Sequence, residues 1–493
     1  MNTTNQTKKK KKKKKKTRSG SSYSLLFLIL FCAVFQRREI HAQQAISFKY
    51  AIYFKDKNIG SLENPMTFLS KKTLHKRKKL GIKLSVEDVP VNSSYVNQLL
   101  SLRSDFVLHG VSKWKNCAVI ESADSILPSL FDGLVYIDHS ELIFKGKRAK
   151  STQSAKVNFS STPQAKDKLK VKKLKNSPYG KTELQVKMLN LPFLHKKKLW
   201  GQNIHVAIFD GGFQHVDTIE AFKHLFADDR IIHVYDYASR ESDVYGDGDH
   251  GTRVLACMAG FIPGQYIGNA PLAKYSLFRT EDAYTETIVE EFNWLFAAEF
   301  CDSVGVDIIN SSLGYTKFDK DQPTDFSYNY SKLNGKVGIA SFAATMLSKK
   351  GILVCNSAGN SGNDSWKFIG IPADAEGIFS VGAVDKSLNK ASFSSLGPTV
   401  DNRVKPNICA MGVNAAVISG YGRITSSNGT SFSSPIFCSA LTCLLQKFPH
   451  KSPETFIKII QSTSSNALAP NAALGYGIPN FEKAYEALMK SKK

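Results

Sequence analysis

From about Pro178 onward the sequence alternates short apolar strands with helices, and this alternation constrains the fold more than any other feature. Strand candidates fall at residues 204–209, 275–278, 306–310, 352–356 and 378–384, with helical stretches at 287–301 and 340–349 between them. Strands this apolar are buried on both faces, and helical crossovers between them are right-handed. The expectation is an α/β fold, a parallel sheet with helices on both faces. In such sheets the chemistry gathers beyond the carboxyl ends of the strands.

The first part of the chain reads differently. Ile46, Phe48, Tyr50, Ile52 and Phe54 alternate with their neighbours in the period-2 pattern of a half-buried strand. A helix is expected around Val96, Leu99, Leu100 and Arg103. Strands at 106–111 and 117–121, a short helical stretch at 126–131 and a last strand at 134–137 follow. The order β-α-β-β-α-β predicts a small α+β, ferredoxin-like unit over residues 43–144. Residues 145–177 lose all apolar periodicity and hold eleven basic residues and one acid. Such a stretch buries too little surface to offset its ordering entropy, so a basic, mobile linker is expected there. The main domain then occupies residues 178–490.

Ahead of all this stand nine lysines, Lys8 to Lys16, an apolar run from Tyr23 to Phe35, and the small residue Ala42. That order predicts a secretory signal peptide over residues 1–42, although Arg37, Arg38 and Glu39 are atypical before a cleavage site. The apolar run is shorter than the ~20 residues a membrane-spanning helix needs, so no stable membrane span is expected. The formal net charge of +24 is gathered before residue 199, and the remainder is slightly acidic. Nucleic-acid binding would need the lysine run to survive in the mature protein, and it is not expected as a function. The eight cysteines show no C-x-x-C pair, which argues against a metal site; Cys355, Cys438 and Cys443 lie in apolar contexts that suit buried thiols.

Four short motifs carry chemistry. Residues 206–212, Val-Ala-Ile-Phe-Asp-Gly-Gly, form a buried strand that ends in Asp210. His250-Gly251-Thr252 opens an apolar helix, and a histidine there is suited to general-base work. Ser357-Ala358-Gly359-Asn360 follows a buried strand, so the Asn360 amide can donate to an oxyanion. Asn428-Gly429-Thr430-Ser431 opens the apolar helix at 436–445, placing Ser431 near a helix N-terminus, where negative charge is stabilised. Each motif alone has an ordinary reading: a turn, a capping histidine, a polar loop, a helix cap.

Together, and in this order, the four motifs resemble the subtilisin family of serine peptidases over residues from about 178 to 488. The order Asp, His, Ser differs from that of chymotrypsin-like enzymes, and the Gly-x-Ser-x-Gly of α/β-hydrolases is absent around Ser431. The resemblance implies a secreted serine endopeptidase working through an acyl-enzyme. Asp210, His250 and Ser431 would be the catalytic triad and Asn360 an oxyanion donor. Asn310-Ser311-Ser312-Leu313-Gly314 matches the family's substrate strand, which assigns Ser312, Leu313 and Gly314 to peptide binding. A catalytically inactive, peptide-binding relative would share this fold without needing all four chemical residues. Gly211 departs from the family, which more often has Ser or Thr there, so a hydroxyl beside Asp210 is missing.

The resemblance also makes the N-terminal unit an inhibitory propeptide. The expected partners are polypeptide substrates and the chain's own propeptide, with the enzyme a monomer, secreted or held in the cell envelope. No organic cofactor is required. Structural calcium remains open, because Asp228, Asp229, Asp247 and Asp249 supply suitable oxygens without the spacing of a defined site.

Overall fold

The strand that organises the large domain is β5 (His205–Asp210), all six of whose residues are buried. Its alternate side chains enter two separate cores. Val206 and Ile208 join the core built with α3 (His250–Ala259) and α6 (Thr430–Lys447). Ala207 and Phe209 join the one built with α4 (Ile288–Val304) and α5 (Ile339–Lys349). A strand apolar on both faces is stable only between two helical layers, and that is its position here.

The computed structural model describes residues 46–125, 128–131, 133–147, 177–283, 285–323 and 327–491. The expected signal segment and linker residues 148–176 lie outside the described residues. The remaining strands of the large sheet are β6 (Ile231–Asp236), β7 (Lys274–Arg279), β8 (Ile308–Ser311), β9 (Leu353–Ser357), β10 (Phe379–Val384) and β11 (Ile408–Met411). Their spatial order is β11-β10-β9-β8-β5-β7-β6, and every pairing is parallel. The chain lays β6 and β7 on one side of β5 and then crosses to start β8 on the other. The strand order therefore reverses between β5 and β8, which opens a crevice at their carboxyl ends.

The N-terminal unit is a four-stranded antiparallel sheet of β1 (Ile46–Phe54), β2 (Val107–Ser112), β3 (Cys117–Ser122) and β4 (Ile137–Lys147), in the order β2-β3-β1-β4. Its helices differ from the sequence expectation. The first is α1 (Lys71–Leu80), KKTLHKRKKL, which periodicity missed because it has no apolar stripe. It is defined instead by its ends: the Ser70 side chain accepts the Thr73 N–H, and Gly81, at φ 71°, closes it in the left-handed conformation. The second is α2 (Ser93–Ser101), near its expected place. The stretch expected to be helical at 126–131 is described only as a 3-10 turn at Pro128–Phe131, and the last strand, expected at 134–137, begins only at Ile137 and runs to Lys147, into the stretch expected to be linker. Pairing with β1 carries β4 through residues whose own pattern is too polar to mark a strand.

The described residues from Ile46 onward form one compact unit, so the small sheet is seated on the large domain. The contact is buried and partly apolar, with Trp114, Val119, Ile143 and Phe144 packed into the core built on α4 and α5, and partly ionic. Arg77 on α1, 1% exposed, pairs with Asp88 at 2.8 Å and with Asp302 on α4 at 2.7 Å. Lys113 reaches the other oxygen of Asp302 at 3.0 Å, and Lys350, at the end of α5, reaches Asp88 at 2.7 Å. Charges thus alternate along a chain from Lys350 through Asp88, Arg77 and Asp302 to Lys113. Glu299 of α4 accepts the Lys113 and Trp114 backbone N–H groups at 2.7 and 3.0 Å. Removing one member of a buried pair leaves its partner charged and unpaired, which costs about 3–5 kcal/mol. Arg77→Ala in a Ser431→Ala background should lower stability by about that amount in chemical denaturation; a loss under about 1 kcal/mol, the scale of a surface pair, would show that the network is not a buried one.

Candidate active site

Asp210 is the last residue of β5, in register with Arg279 of β7, and its carboxylate is fully buried. Oδ1 accepts the Gly211 N–H at 2.8 Å and His250 Nδ1 at 2.7 Å. Two glycines let the histidine come this close. At Gly212 (φ 146°) a Cβ would fall 1.9 Å from the Asp247 carbonyl oxygen, and at Gly251 it would fall 2.4 Å from that of Gly212. The Gly251 N–H donates to that same Gly212 oxygen at 2.9 Å, which ties the start of α3 to the turn after β5. Asp210 Oδ2, by contrast, is buried without a hydrogen-bond partner among the described residues. Gly211 has no hydroxyl to offer it.

His250 is the first residue of α3, with its side chain 43% exposed. A ring nitrogen facing a carboxylate is the donor, so Nδ1 carries the hydrogen and Nε2 of the neutral ring is left as the base. Desolvation by its surroundings pushes the imidazole pKa down. The Asp210 charge and hydrogen bond, with help from Asp249, outweigh that and hold it above the ordinary histidine value.

Ser431 is the second residue of α6 and 8% exposed. Its Oγ donates to the Ser312 carbonyl at 3.4 Å, and Ser312 Oγ donates back to the Ser431 carbonyl at 2.9 Å. Among the described residues no hydrogen bond joins Ser431 to His250, although the rings of His250 and the adjacent Phe432 lie 5.8 Å apart. The structure thus brings Asp210 to His250, and Ser431 to Ser312, with the serine hydroxyl in a rotamer turned towards the latter.

Asn360 follows β9 and meets α6 at its first turn. Its Oδ1 accepts both the Thr430 N–H (2.9 Å) and the Thr430 hydroxyl (3.0 Å). A backbone N–H only donates, so the amide oxygen must be the atom facing Thr430, which leaves the NH2 as the free end of an exposed side chain. Ser312, Leu313 and Gly314 continue β8 beyond its last paired residue and lie outside any strand ladder. The Leu313 carbonyl is held by Asn356 Nδ2 at 3.0 Å. Beneath them Asn310, fully buried, donates to Ser312 Oγ at 3.1 Å and accepts from Ser434 Oγ at 2.8 Å. Sequence reasoning gave no role to Thr430 or Ser434, though both lie in the Gly-Thr-Ser segment it singled out.

Three of the four acids considered for calcium are engaged elsewhere: Asp249 with Arg253 at 2.7 Å, Asp228 with Arg230 at 3.1 Å and Asp247 with Arg279 at 3.8 Å. Among the described residues no group of three or more His, Cys, Asp or Glu is placed to hold a metal ion. Seven cysteines, Cys117, Cys257, Cys301, Cys355, Cys409, Cys438 and Cys443, are buried free thiols.

Comparison with known proteins gives the family. Residues 201–477 match the subtilase family, and residues 49–160 match the peptidase S8 propeptide domain of Bacteroidota. Subtilisin NAT of Bacillus subtilis subsp. natto is 27% identical over 311 residues, covering 62% of this chain and 71% of its own. Subtilisin DY of Bacillus licheniformis is 29% identical over 290 residues, covering 58% and 91%. The solved structure of the epidermin leader peptide processing serine protease of Staphylococcus aureus shares the fold, with a TM-score of 0.57 and 17% identity over 91% of this chain and 100% of that one. The geometry makes a direct test of the Asp210–His250 pair: in an NMR titration Asp210→Asn should bring the His250 pKa down by about 1–3 pH units, the usual effect of removing a contacting opposite charge. An unchanged value would mean that the pair is not formed in solution.

Proposed function

Because this chain belongs to the subtilase family and is a serine-type endopeptidase, we propose that Asp210, His250 and Ser431 are its catalytic triad, made as an exported precursor. The observation that carries the reading is the bond from His250 Nδ1 to Asp210 Oδ1, which leaves Nε2 as the free base beside the helix end that bears Ser431. Rotation of the Ser431 side chain from the Ser312 carbonyl brings Oγ to that base. His250 then takes the hydroxyl proton as Oγ attacks the scissile carbonyl, and Asp210 holds the ring and stabilises its charged form. The Asn360 NH2 and the Ser431 backbone N–H receive the oxyanion. His250 returns the proton to the leaving amine, and water cleaves the acyl-enzyme by the same route. Ser312, Leu313 and Gly314 offer unpaired backbone to an extended peptide.

The propeptide domain match and its seating on α4 support a precursor whose N-terminal unit stays on the enzyme until the basic segment 145–177 is cut. The apolar run from Tyr23 to Phe35 supports export, and among the described residues no helix is long and apolar enough to cross a membrane.

Ser431→Ala should lower turnover by on the order of 10⁶ and leave the precursor unprocessed, measured by peptide hydrolysis, fluorophosphonate labelling and gel mobility. Near wild-type hydrolysis by this variant would remove Ser431 as nucleophile. Asn360→Ala should lower kcat by roughly 10²- to 10³-fold with little change in KM, because its amide acts on charge that develops only in the transition state. A large rise in KM at constant kcat would make it a substrate-binding residue instead.

A further inference from the structure

Where β7 leaves the sheet, the Thr280 N–H donates to the Asp210 backbone carbonyl at 3.1 Å, and the next residue, Glu281, projects across the crevice. Its Cβ lies 3.8 Å from the position a Cβ on Gly211 would take. Its Oε1 is held on the far side by the Tyr315 hydroxyl at 2.5 Å, with the Thr280 hydroxyl at 3.3 Å. Tyr315 directly follows the Ser312–Leu313–Gly314 segment. Glu281 therefore bridges the two walls of the crevice, one bearing Asp210 and the other the peptide-binding segment. It is only half-buried, and its second oxygen, Oε2, has no hydrogen-bond partner among the described residues.

The charges around this carboxyl are of its own sign. Asp210 on β5, Glu286 in the following loop and Glu290 on α4 all act on it or on its neighbours. The cation on the same strand, Arg279, is committed to Asp236 at 2.7 Å, with Asp247 and Asp282 at 3.8 and 4.0 Å. Burial, then the charges of Glu286 and Asp210, push the Glu281 pKa up against the Tyr315 hydrogen bond, so an incoming cation would hold its charged form. A carboxyl anchored at one oxygen, open at the other and lacking a counter-ion is suited to receive one from outside.

We propose that Glu281 is a specificity-determining residue that pairs with a Lys or Arg side chain of the substrate on the N-terminal side of the scissile bond. The side follows from the proposed function, in which the Ser312–Leu313–Gly314 segment pairs with the residues ahead of the scissile bond. Ser312 touches Ser431, whereas Tyr315 marks the end away from the nucleophile, so a peptide lying on the segment passes Glu281 with residues ahead of the cleaved bond. The chain's own sequence agrees: segment 145–177, which must be cut to free the enzyme, has eleven basic residues and one acid.

The inference rests on the serine-peptidase reading, and one experiment separates their failures. The processed enzyme and its Glu281→Gln variant are assayed on fluorogenic peptides carrying Lys, Arg, Gln or norleucine at each position before the cut. At one position wild type should favour Lys and Arg over the neutral residues by tenfold or more in kcat/KM, and Glu281→Gln, which keeps the shape and a partner for Tyr315, should reduce that ratio to about twofold or less. Glu281→Asp should keep a preference of the same sign, so the result does not depend on one variant folding. Absence of a cation preference in wild type overturns the proposal. So does an equal loss on cationic and neutral peptides in Glu281→Gln, which would make Glu281 a positioning residue for Asp210. Failure of every peptide to turn over, with no fluorophosphonate labelling of Ser431, would sink the peptidase reading itself.

Discussion

Burial of the Asp210 carboxylate at the end of a central strand is the constraint on which the rest of the site depends. An ionised group with no exposure is tolerable only with donors aimed at it, and Oδ1 has two, the Gly211 N–H and His250 Nδ1. Both exist because β5 is paired in register on either side, Phe209 with Ser311 and Asp210 with Arg279. A slip of one residue would turn Asp210 to the opposite face, away from α3. The cost of burying the charge is thus what fixes where His250 must stand.

The other half of the site is gathered on one helix end. Asn360 anchors on Thr430, Ser312 anchors on Ser431, and Ser434 grips Asn310 beneath them, so two segments distant in sequence, at the ends of β8 and β9, are registered on the first turns of α6. The crevice between β5 and β8 separates this assembly from the Asp210–His250 pair. The proposed nucleophile and its base therefore belong to different sides of the fold, and their relation is set by packing of the sheet and not by local sequence. Glu281 crosses the same crevice and is held from both walls.

The N-terminal unit follows a different logic. Its seat on the large domain holds five alternating buried charges, and a buried network of this kind adds less affinity than apolar contact of the same area. What it does impose is geometry, since each charge is tolerable only beside its partner. Departure of the unit returns Asp302 and Lys350 to water, where hydration replaces the lost pairs. The apolar residues of the same seat, Trp114, Val119, Ile143 and Phe144, supply the attraction, and the charges make it selective for its own partner.

The sequence by itself determined the α/β class and the four motifs, because buried strands, helix starts and glycine turns are local patterns. It also showed that a hydroxyl is missing at Gly211. It did not show that Asp210 Oδ2 is left without a partner, because that depends on everything packed around the strand end. The basic helix α1 escaped the pattern for a related reason: its buried face is Thr73 and Arg77, polar residues that belong inside only because Asp302 lies opposite. No sequence pattern singles out Glu281, and only the fold sets it beside both Gly211 and Tyr315. Local periodicity records what a segment needs from a core. Which charge meets which across 225 residues, as for Arg77 and Asp302, is decided by long-range packing alone.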